Sequence, residues 1–175
     1  MAGYSIKAAT AMLAGLLLAA CVDTTPREVH RLPPPSAEQA IIFWQHSSPL
    51  DSGEARLTLG EINKKSIIDY GILQSRDWQP PASVDSSKTV ATALTPGINR
   101  ILVGACRDNF VPYCEYKCAN VVLRLEAVAG VLYQIQARIR DDTTRFKIVD
   151  PVDGIIVLGP VSSDSRCTSE KYNFF

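Results

Sequence analysis

The sequence predicts an all-β domain, either a sandwich or a barrel, and three of its features lead to that prediction. From residue 40 onward, runs rich in branched and aromatic residues are separated by turn-forming residues every ~8–12 positions. Residues 133–140 alternate apolar and polar side chains without a break, which is the period of a strand with one buried face. No long amphipathic helical pattern is present after residue 40.

The individual strands follow from the same alternation. Residues 121–129 place Leu123, Leu125 and Ala127 on one side, and Gly130 suits a hairpin into the strand at 133–140. Further strands are expected at 98–105, 146–149 and 155–158, with turns at 141–144 and 150–154. The weaker candidates are 41–45, 55–59, 66–73 and 89–94, although residues 59–65 could instead form a short helix.

Composition limits the class of protein. The chain has 175 residues, with 46% hydrophobic and 21% charged residues, which excludes global disorder and a multi-pass membrane protein. Its formal net charge is +0, and removing residues 1–20, which contain Lys7 and no acid, leaves 17 basic and 18 acidic residues, a net of −1. Nucleic-acid-binding domains normally carry a basic excess, so no nucleic-acid partner is expected.

The first twenty residues have the three parts of a secretory signal: a start carrying Lys7, an apolar stretch at 8–18, and two small residues before a cysteine. Leu18, Ala19, Ala20 and Cys21 resemble the lipobox of bacterial lipoproteins at all four positions. The resemblance implies cleavage before Cys21 and a diacylglycerol on its sulfur, so that fatty chains anchor the protein to a membrane. The alternative is an ordinary signal peptide with a chance cysteine after the cleavage site.

The lipobox divides the chain into three parts: a signal peptide (1–20), a lipidated, proline-rich tether (21–39) and one β domain (40–175). Pro26 and three consecutive prolines at 33–35 favour an extended, loosely placed spacer in the tether. Val22 rather than aspartate follows the lipidated cysteine, which resembles lipoproteins sorted to the periplasmic face of the outer membrane.

A second resemblance concerns the domain itself. The step from Leu94 through Pro96 and Gly97 into Ile98–Val103 is similar to that of PEGA-like small β domains, and residues 125–133 and 149–157 continue in the same order. The resemblance implies an immunoglobulin-like β-sandwich of about seven to eight strands. The sequence departs from it at 107–117, an inserted loop that carries cysteines.

Four cysteines beyond Cys21 predict two disulfides, because an exported domain folds in an oxidising compartment. Four cysteines can pair in three ways. Cys106 and Cys118 end one predicted strand and begin the next, so we favour the pairing in which they close the loop at its base. Cys114 would then pair with Cys167 and fix the C-terminal tail. A zinc site or a redox-active pair is the alternative, but only Cys114 and Cys118 approach the spacing of a zinc knuckle, and no C-x-x-C is present.

The disulfide-held loop is the candidate partner-binding site. Arg107, Phe110, Tyr113 and Tyr116 combine an arginine with three aromatics, the residue types that dominate interface hot spots. Alternatively, the aromatics simply cover one end of the sandwich. Trp44 and Trp78 are predicted to be core or tether-packing residues rather than a sugar-binding platform.

Catalytic chemistry is not predicted. His46 lies beside Ser47, Ser48 and Asp51, but a triad is a spatial arrangement that local clustering does not establish. The aspartates of the 141–144 and 150–154 turns are expected to make local backbone hydrogen bonds, with weak calcium binding as the alternative. We therefore expect no cofactor and no metal. The predicted function is that of a non-enzymatic envelope lipoprotein with a structural or protein-complex role or, alternatively, of a module that binds glycan or peptidoglycan through the loop aromatics.

Overall fold

The fold is that of a computed structural model, which describes residues 30–45, 48–50, 53–74, 76–82, 84, 88–111 and 114–168, with the backbone alone at 48–50, 53–55 and 108–111. Two sheets pack face to face, and the predicted all-β sandwich is confirmed. The strands are β1 (Ala40–Gln45), β2 (Ser48–Leu50), β3 (Gly53–Ile62), β4 (Lys65–Ser66), β5 (Thr89–Leu94), β6 (Gly97–Val111), β7 (Cys114–Ala127), β8 (Leu132–Arg140), β9 (Thr143–Val149), β10 (Ile156–Asp164) and β11 (Arg166–Thr168), and the one described helix is α1 (Ile67–Tyr70).

The first sheet has the strand order β10-β9-β8-β1-β5, and the second has the order β11-β7-β6-β3-β2, with β4 paired to β3. All described pairs are antiparallel except β1 with β8. Three of the strands, β2, β4 and β11, have only two or three residues each, so the eight longer strands form the body of the sandwich.

The core forms where the alternating faces of the two sheets meet. Leu123 and Leu125 on β7 and Ile135 and Ile139 on β8 are at most 2% exposed, whereas the residues between them on β7 are solvent-exposed. Trp44 and Phe146 are completely buried in this layer. Burial of such side chains contributes about 1.5–3 kcal/mol each, which is why the alternation read from sequence gives the faces correctly.

Two sequence predictions about residues 57–73 are wrong. Residues 59–62 belong to β3, because Leu57, Leu59 and Ile62 are all needed in the core, and the chain turns at Asn63 and Lys64 with positive φ. Residues 66–73 do not form a strand: the Ser66 hydroxyl accepts the Ile68 N–H and begins the single turn of α1.

The chain is already placed against the sandwich before residue 40. The N–H of His30 donates to Ile68 O and the N–H of Leu32 to Ile72 O, each at 2.9 Å. Gly71 makes this close approach possible, since its φ is 108° and a Cβ there would lie 2.9 Å from atoms of the His30 and Leu32 side chains. Part of the predicted tether is therefore structured.

The two tryptophans are buried, as predicted. Trp44 is in the main core, and Trp78 packs against Phe43 in a second cluster with a ring separation of 5.2 Å. The second cluster lies on the outer face of the first sheet, under the segment that follows α1.

The sandwich has two distinct ends. We call the end where β1 begins the proximal end: β5 and β7 finish there, β6 and β8 start there, and the β9–β10 turn lies there. The opposite end, which holds the β8–β9 turn and the β6–β7 hairpin, is the distal end.

Candidate functional site

The cysteines pair as predicted. Cys106 is bonded to Cys118 with an S–S distance of 2.11 Å, and Cys114 to Cys167 at 2.05 Å. The prediction that residues 107–117 form a loop is wrong, because β6 continues to Val111 and β7 begins at Cys114. Cys106 and Cys118 are thus opposite each other within a long hairpin ladder, and the second disulfide attaches β11 to that hairpin.

Of the four predicted partner-binding residues, the structure describes the side chains of Arg107 and Tyr116 alone. Arg107 is on β6 and Tyr116 on β7, and both are half-buried in the ladder. Phe110 lies in β6 at a position where the backbone alone is described, and Tyr113 lies outside the described residues. Of the predicted aromatic surface, the structure therefore describes only Tyr116, which is opposite Thr168 of β11.

An ion pair joins the hairpin to the first sheet at the distal end. Lys117 Nζ lies 2.5 Å from Asp142 Oδ1 in the β8–β9 turn. The hydrogen bond from Lys117, with its positive charge, holds the pKa of the Asp142 carboxyl below its ordinary value. The pair is therefore fully formed above the ordinary carboxyl range and is lost as the pH falls through the lowered pKa, but its exposure makes its contribution small.

A buried hydroxyl pair holds the crossover from β10 to β11 in place. Thr144 Oγ1 and Ser165 Oγ are 2.7 Å apart, and the Ser165 N–H donates to Asp142 O. Thr144 is completely buried, so neither hydroxyl could easily replace this partner with water.

Removing one member of that pair should destabilise the domain. We expect Thr144→Val to cost about 1–3 kcal/mol, because it leaves the Ser165 hydroxyl buried and unpaired. Urea unfolding followed by circular dichroism measures this cost. Thr143→Val, on the same strand but half-buried, should change stability by only about 0.5 kcal/mol or less. Equal effects for the two variants would contradict this account of the crossover.

A groove lies beside this crossover. Its volume is about 330 Å³, and it is lined by Cys118, Ala119, Asn120, Ser163, Asp164 and Arg166. The Ser163 hydroxyl donates to Asn120 O across it at 2.9 Å. The groove therefore combines one acidic and one basic side chain with the edge of β7, at the place where β11 ends its pairing.

Beyond the groove, no strand that the structure describes pairs with the outer edge of β7. β11 pairs with residues 116–118 only, and from Ala119 to Ala127 the described strands pair with β7 on the β6 side alone. Asn120 O faces the open side, and both backbone groups of a residue in an antiparallel strand face the same way. The N–H and C=O groups of Val122, Arg124 and Glu126 are therefore available at this edge.

The other described edges are shorter, interrupted or partly covered, including residues 56–60 of β3, which no described strand pairs on the side away from β6. The Leu73 N–H donates to Ala91 O and so covers part of β5, and β2 has only three residues. The β10 edge is interrupted by Pro160, which has no N–H, and by two register shifts. Since proteins normally blunt such edges, residues 121–127 of β7, beyond the bond from Ser163 to Asn120, are the longest stretch of edge that the described part of the chain leaves uncovered. We call residues 121–127 the open β7 edge.

The open β7 edge also carries unpaired positive charge. Arg124 lies directly opposite Arg100 of β6, and none of the described acids forms an ion pair with either guanidinium. Like charges opposite each other in a ladder are unfavourable. An acidic group supplied from outside the domain would relieve this repulsion.

A second unusual surface lies at the proximal end. Val152, Ile155, Ile156 and Val157 in and after the β9–β10 turn are 82%, 63%, 49% and 44% exposed, and we call these four residues the apolar tip. Ile98 and Val128, also at the proximal end, are 65% and 56% exposed. Of the large apolar side chains that the structure describes as exposed, only Val122 lies elsewhere.

The remaining sequence candidates carry no site. His46, Ser47 and Asp51 lie outside the described residues, and Ser48 is described by its backbone alone. Asp150 and Asp153 accept the N–H groups of Val152 and Ile155, which are the local turn bonds predicted for them. Within the described ranges, no group of three or more histidine, cysteine or acidic residues could hold a metal ion.

Comparisons with protein families, with curated proteins and with solved structures gave no match for this chain. Across the ranges that the structure describes, no helix is both long and apolar enough to cross a membrane.

Proposed function

We propose that the chain is a lipoprotein of the bacterial envelope, anchored through Cys21 on the periplasmic face of the outer membrane, and that its sandwich binds a protein partner without catalysing a reaction. The cysteine count supports the anchor. The chain has five cysteines, and four of them pair within the domain, so Cys21 has no partner among them. Disulfides themselves fit an exported protein.

The open β7 edge is the observation that carries the binding role. An extended segment of a partner could add as a further strand, with main-chain hydrogen bonds to Val122, Arg124 and Glu126. The Cys106–Cys118 disulfide fixes β7 to β6, and the Cys114–Cys167 disulfide fixes β11 at the end of the edge. The edge is therefore held in one conformation before binding, which lowers the entropy cost of association.

The side chains along the edge define the partner segment. Val122 would face an apolar residue and Arg124 an acidic one, because the Arg124–Arg100 repulsion favours an added negative charge. The groove at the end of the edge would accept the next residue, with Asp164 and Arg166 on either side of it. A protein segment with an apolar residue opposite Val122 and an acidic residue two positions away, opposite Arg124, is thus the proposed ligand.

Two substitutions at one position test this mode of binding. Arg124→Pro should abolish capture of the partner after crosslinking in the envelope, because proline removes an N–H on the open side and blocks strand pairing. Arg124→Ala keeps the N–H and should weaken capture only several-fold, by about 1 kcal/mol or less for the lost ion pair. Quantitative mass spectrometry of the crosslinked complexes measures both.

Thermal unfolding is the control, since the Arg124 N–H faces away from β6 and neither variant should lose a bond within the sandwich. Equal capture by Arg124→Pro and by the unchanged protein, both folded, would rule out the open β7 edge as the binding site. If crosslinking captured no protein and the domain instead sedimented with purified peptidoglycan, the cell wall would be favoured as the ligand.

A further inference from the structure

We infer that the apolar tip contacts the surface of the membrane that holds the lipid anchor, so that the domain stands on its proximal end. This inference rests on the proposed lipidation of Cys21. It adds a second point of contact and a defined orientation to the anchor, and it leaves the open β7 edge running from the lipid surface toward the distal end.

The path of the chain places the anchor and the apolar tip at the same end. His30 is bonded to Ile68 of α1. The helix lies at the proximal end, because it directly follows β4, which pairs with the end of β3 beside the start of β6. Eight residues separate Cys21 from His30, a reach of at most about 30 Å at ~3.3 Å per residue. The proximal end is therefore the part of the domain that the tether holds nearest to the lipid.

The chemistry of the tip favours lipid over a protein partner. All four of its side chains are aliphatic, whereas protein interfaces are anchored mainly by tryptophan, tyrosine and arginine. Aliphatic residues exposed on a hairpin can enter the boundary between headgroups and acyl chains.

The backbone N–H groups of the turn are also hydrogen-bonded within the turn, which lowers the cost of removing water from it. The N–H groups of Asp150 and Gly154 donate to Ile155 O and Asp150 O, and those of Val152 and Ile155 donate to the Asp150 and Asp153 carboxylates. The turn thus satisfies these donors internally, which reduces the cost of moving it into a less polar medium.

Fluorescence quenching tests the contact. Ile155→Trp and the matched variant Val122→Trp are produced as full-length chains, processed and lipidated in bacteria, and reconstituted into vesicles of phosphatidylethanolamine and phosphatidylglycerol with brominated acyl chains. Both sites are exposed, but Val122 lies on the outer face of the second sheet away from the proximal end. Trp44 and Trp78 are buried and provide a constant background, measured on the unsubstituted protein.

We expect most of the emission added by Ile155→Trp to be lost in brominated vesicles and regained in vesicles of the same lipids without bromine. Emission added by Val122→Trp should be the same in both. If the protein floats with the vesicles and the two variants behave alike, the membrane-facing tip is wrong while anchoring stands. If the protein does not float with the vesicles, the lipid anchor fails and the inference fails with it.

Discussion

Replacing Cys21 by serine should abolish incorporation of labelled palmitate completely, because the thiol is the atom that the resemblance assigns to the lipid. The resemblance also places the cleavage site directly before Cys21, so the variant should keep its first twenty residues. Two or more acyl chains give lasting membrane binding, whereas a single chain gives only marginal binding. We therefore expect the Cys21→Ser variant to lose membrane binding completely.

A companion protein separates anchoring from export. Residues 22–175 placed behind an ordinary cleavable secretory signal should reach the same compartment, form both disulfides and remain soluble. Fractionation in plain buffer and in alkaline carbonate measures the difference. Membrane retention of this companion at the level of the unchanged protein would mean that something other than Cys21 holds the domain there.

Removing the Cys114–Cys167 disulfide should cause the second large effect, a loss of about 4 kcal/mol of unfolding free energy. The two residues are 53 positions apart, and the entropy lost by the unfolded chain grows with the length of the loop that the bond closes. The native state would also lose the attachment of β11, which otherwise pairs with β7 at only three positions. Such a loss is a large fraction of the ~5–15 kcal/mol that stabilises a typical domain.

The Cys106–Cys118 disulfide provides the matched comparison. Cys106 and Cys118 are 12 positions apart, so replacing both by alanine should cost about 3 kcal/mol, less than replacing Cys114 and Cys167. Guanidinium unfolding of the two double variants and of the oxidised protein gives all three free energies. If neither double variant unfolded at lower denaturant than the oxidised protein, the disulfides would not stabilise this fold.

The sequence predicts the parts of this fold that depend on local pattern. The alternation at 133–140 has a period of two and so gives both the strand and its buried face, and strands predicted at 41–45 and 89–94 coincide with β1 and β5. The cysteine pairing was predictable because Cys106 and Cys118 flank a chain reversal. The segment 66–73 was not, since its branched residues favour a strand and the Ser66 cap overrides them.

Both candidate surfaces depend on strand order, which local pattern does not contain. Nothing in the sequence of β7 distinguishes an edge strand from a central one. Its alternation of apolar and polar residues predicts which face is buried, but it does not predict which strands pair with it. One feature of the sequence does indicate the apolar tip. Ile155, Ile156, Val157 and Leu158 are consecutive, and one strand cannot turn four successive side chains toward a single core. That run predicted a strand but equally indicated apolar exposure at an edge.

The lipid anchor, the apolar tip and the open β7 edge together would give the domain a defined orientation relative to the membrane. The anchor and the apolar tip would hold the proximal end at the lipid, and the disulfide-fixed distal end would lie away from it. The open β7 edge runs between the two ends, within reach of a partner embedded in the same membrane or lying beneath it. The apolar tip and the open β7 edge would thus make different contacts, the first with lipid and the second with a protein.

The most direct test of the account is the mass of the N-terminal peptide of the protein purified from its own membranes. We predict a peptide that begins at Cys21 and carries a diacylglycerol on the sulfur, with no trace of residues 1–20. An unmodified Cys21, or a chain that still carries those residues, would contradict the anchor on which the proposed function and the orientation of the domain depend.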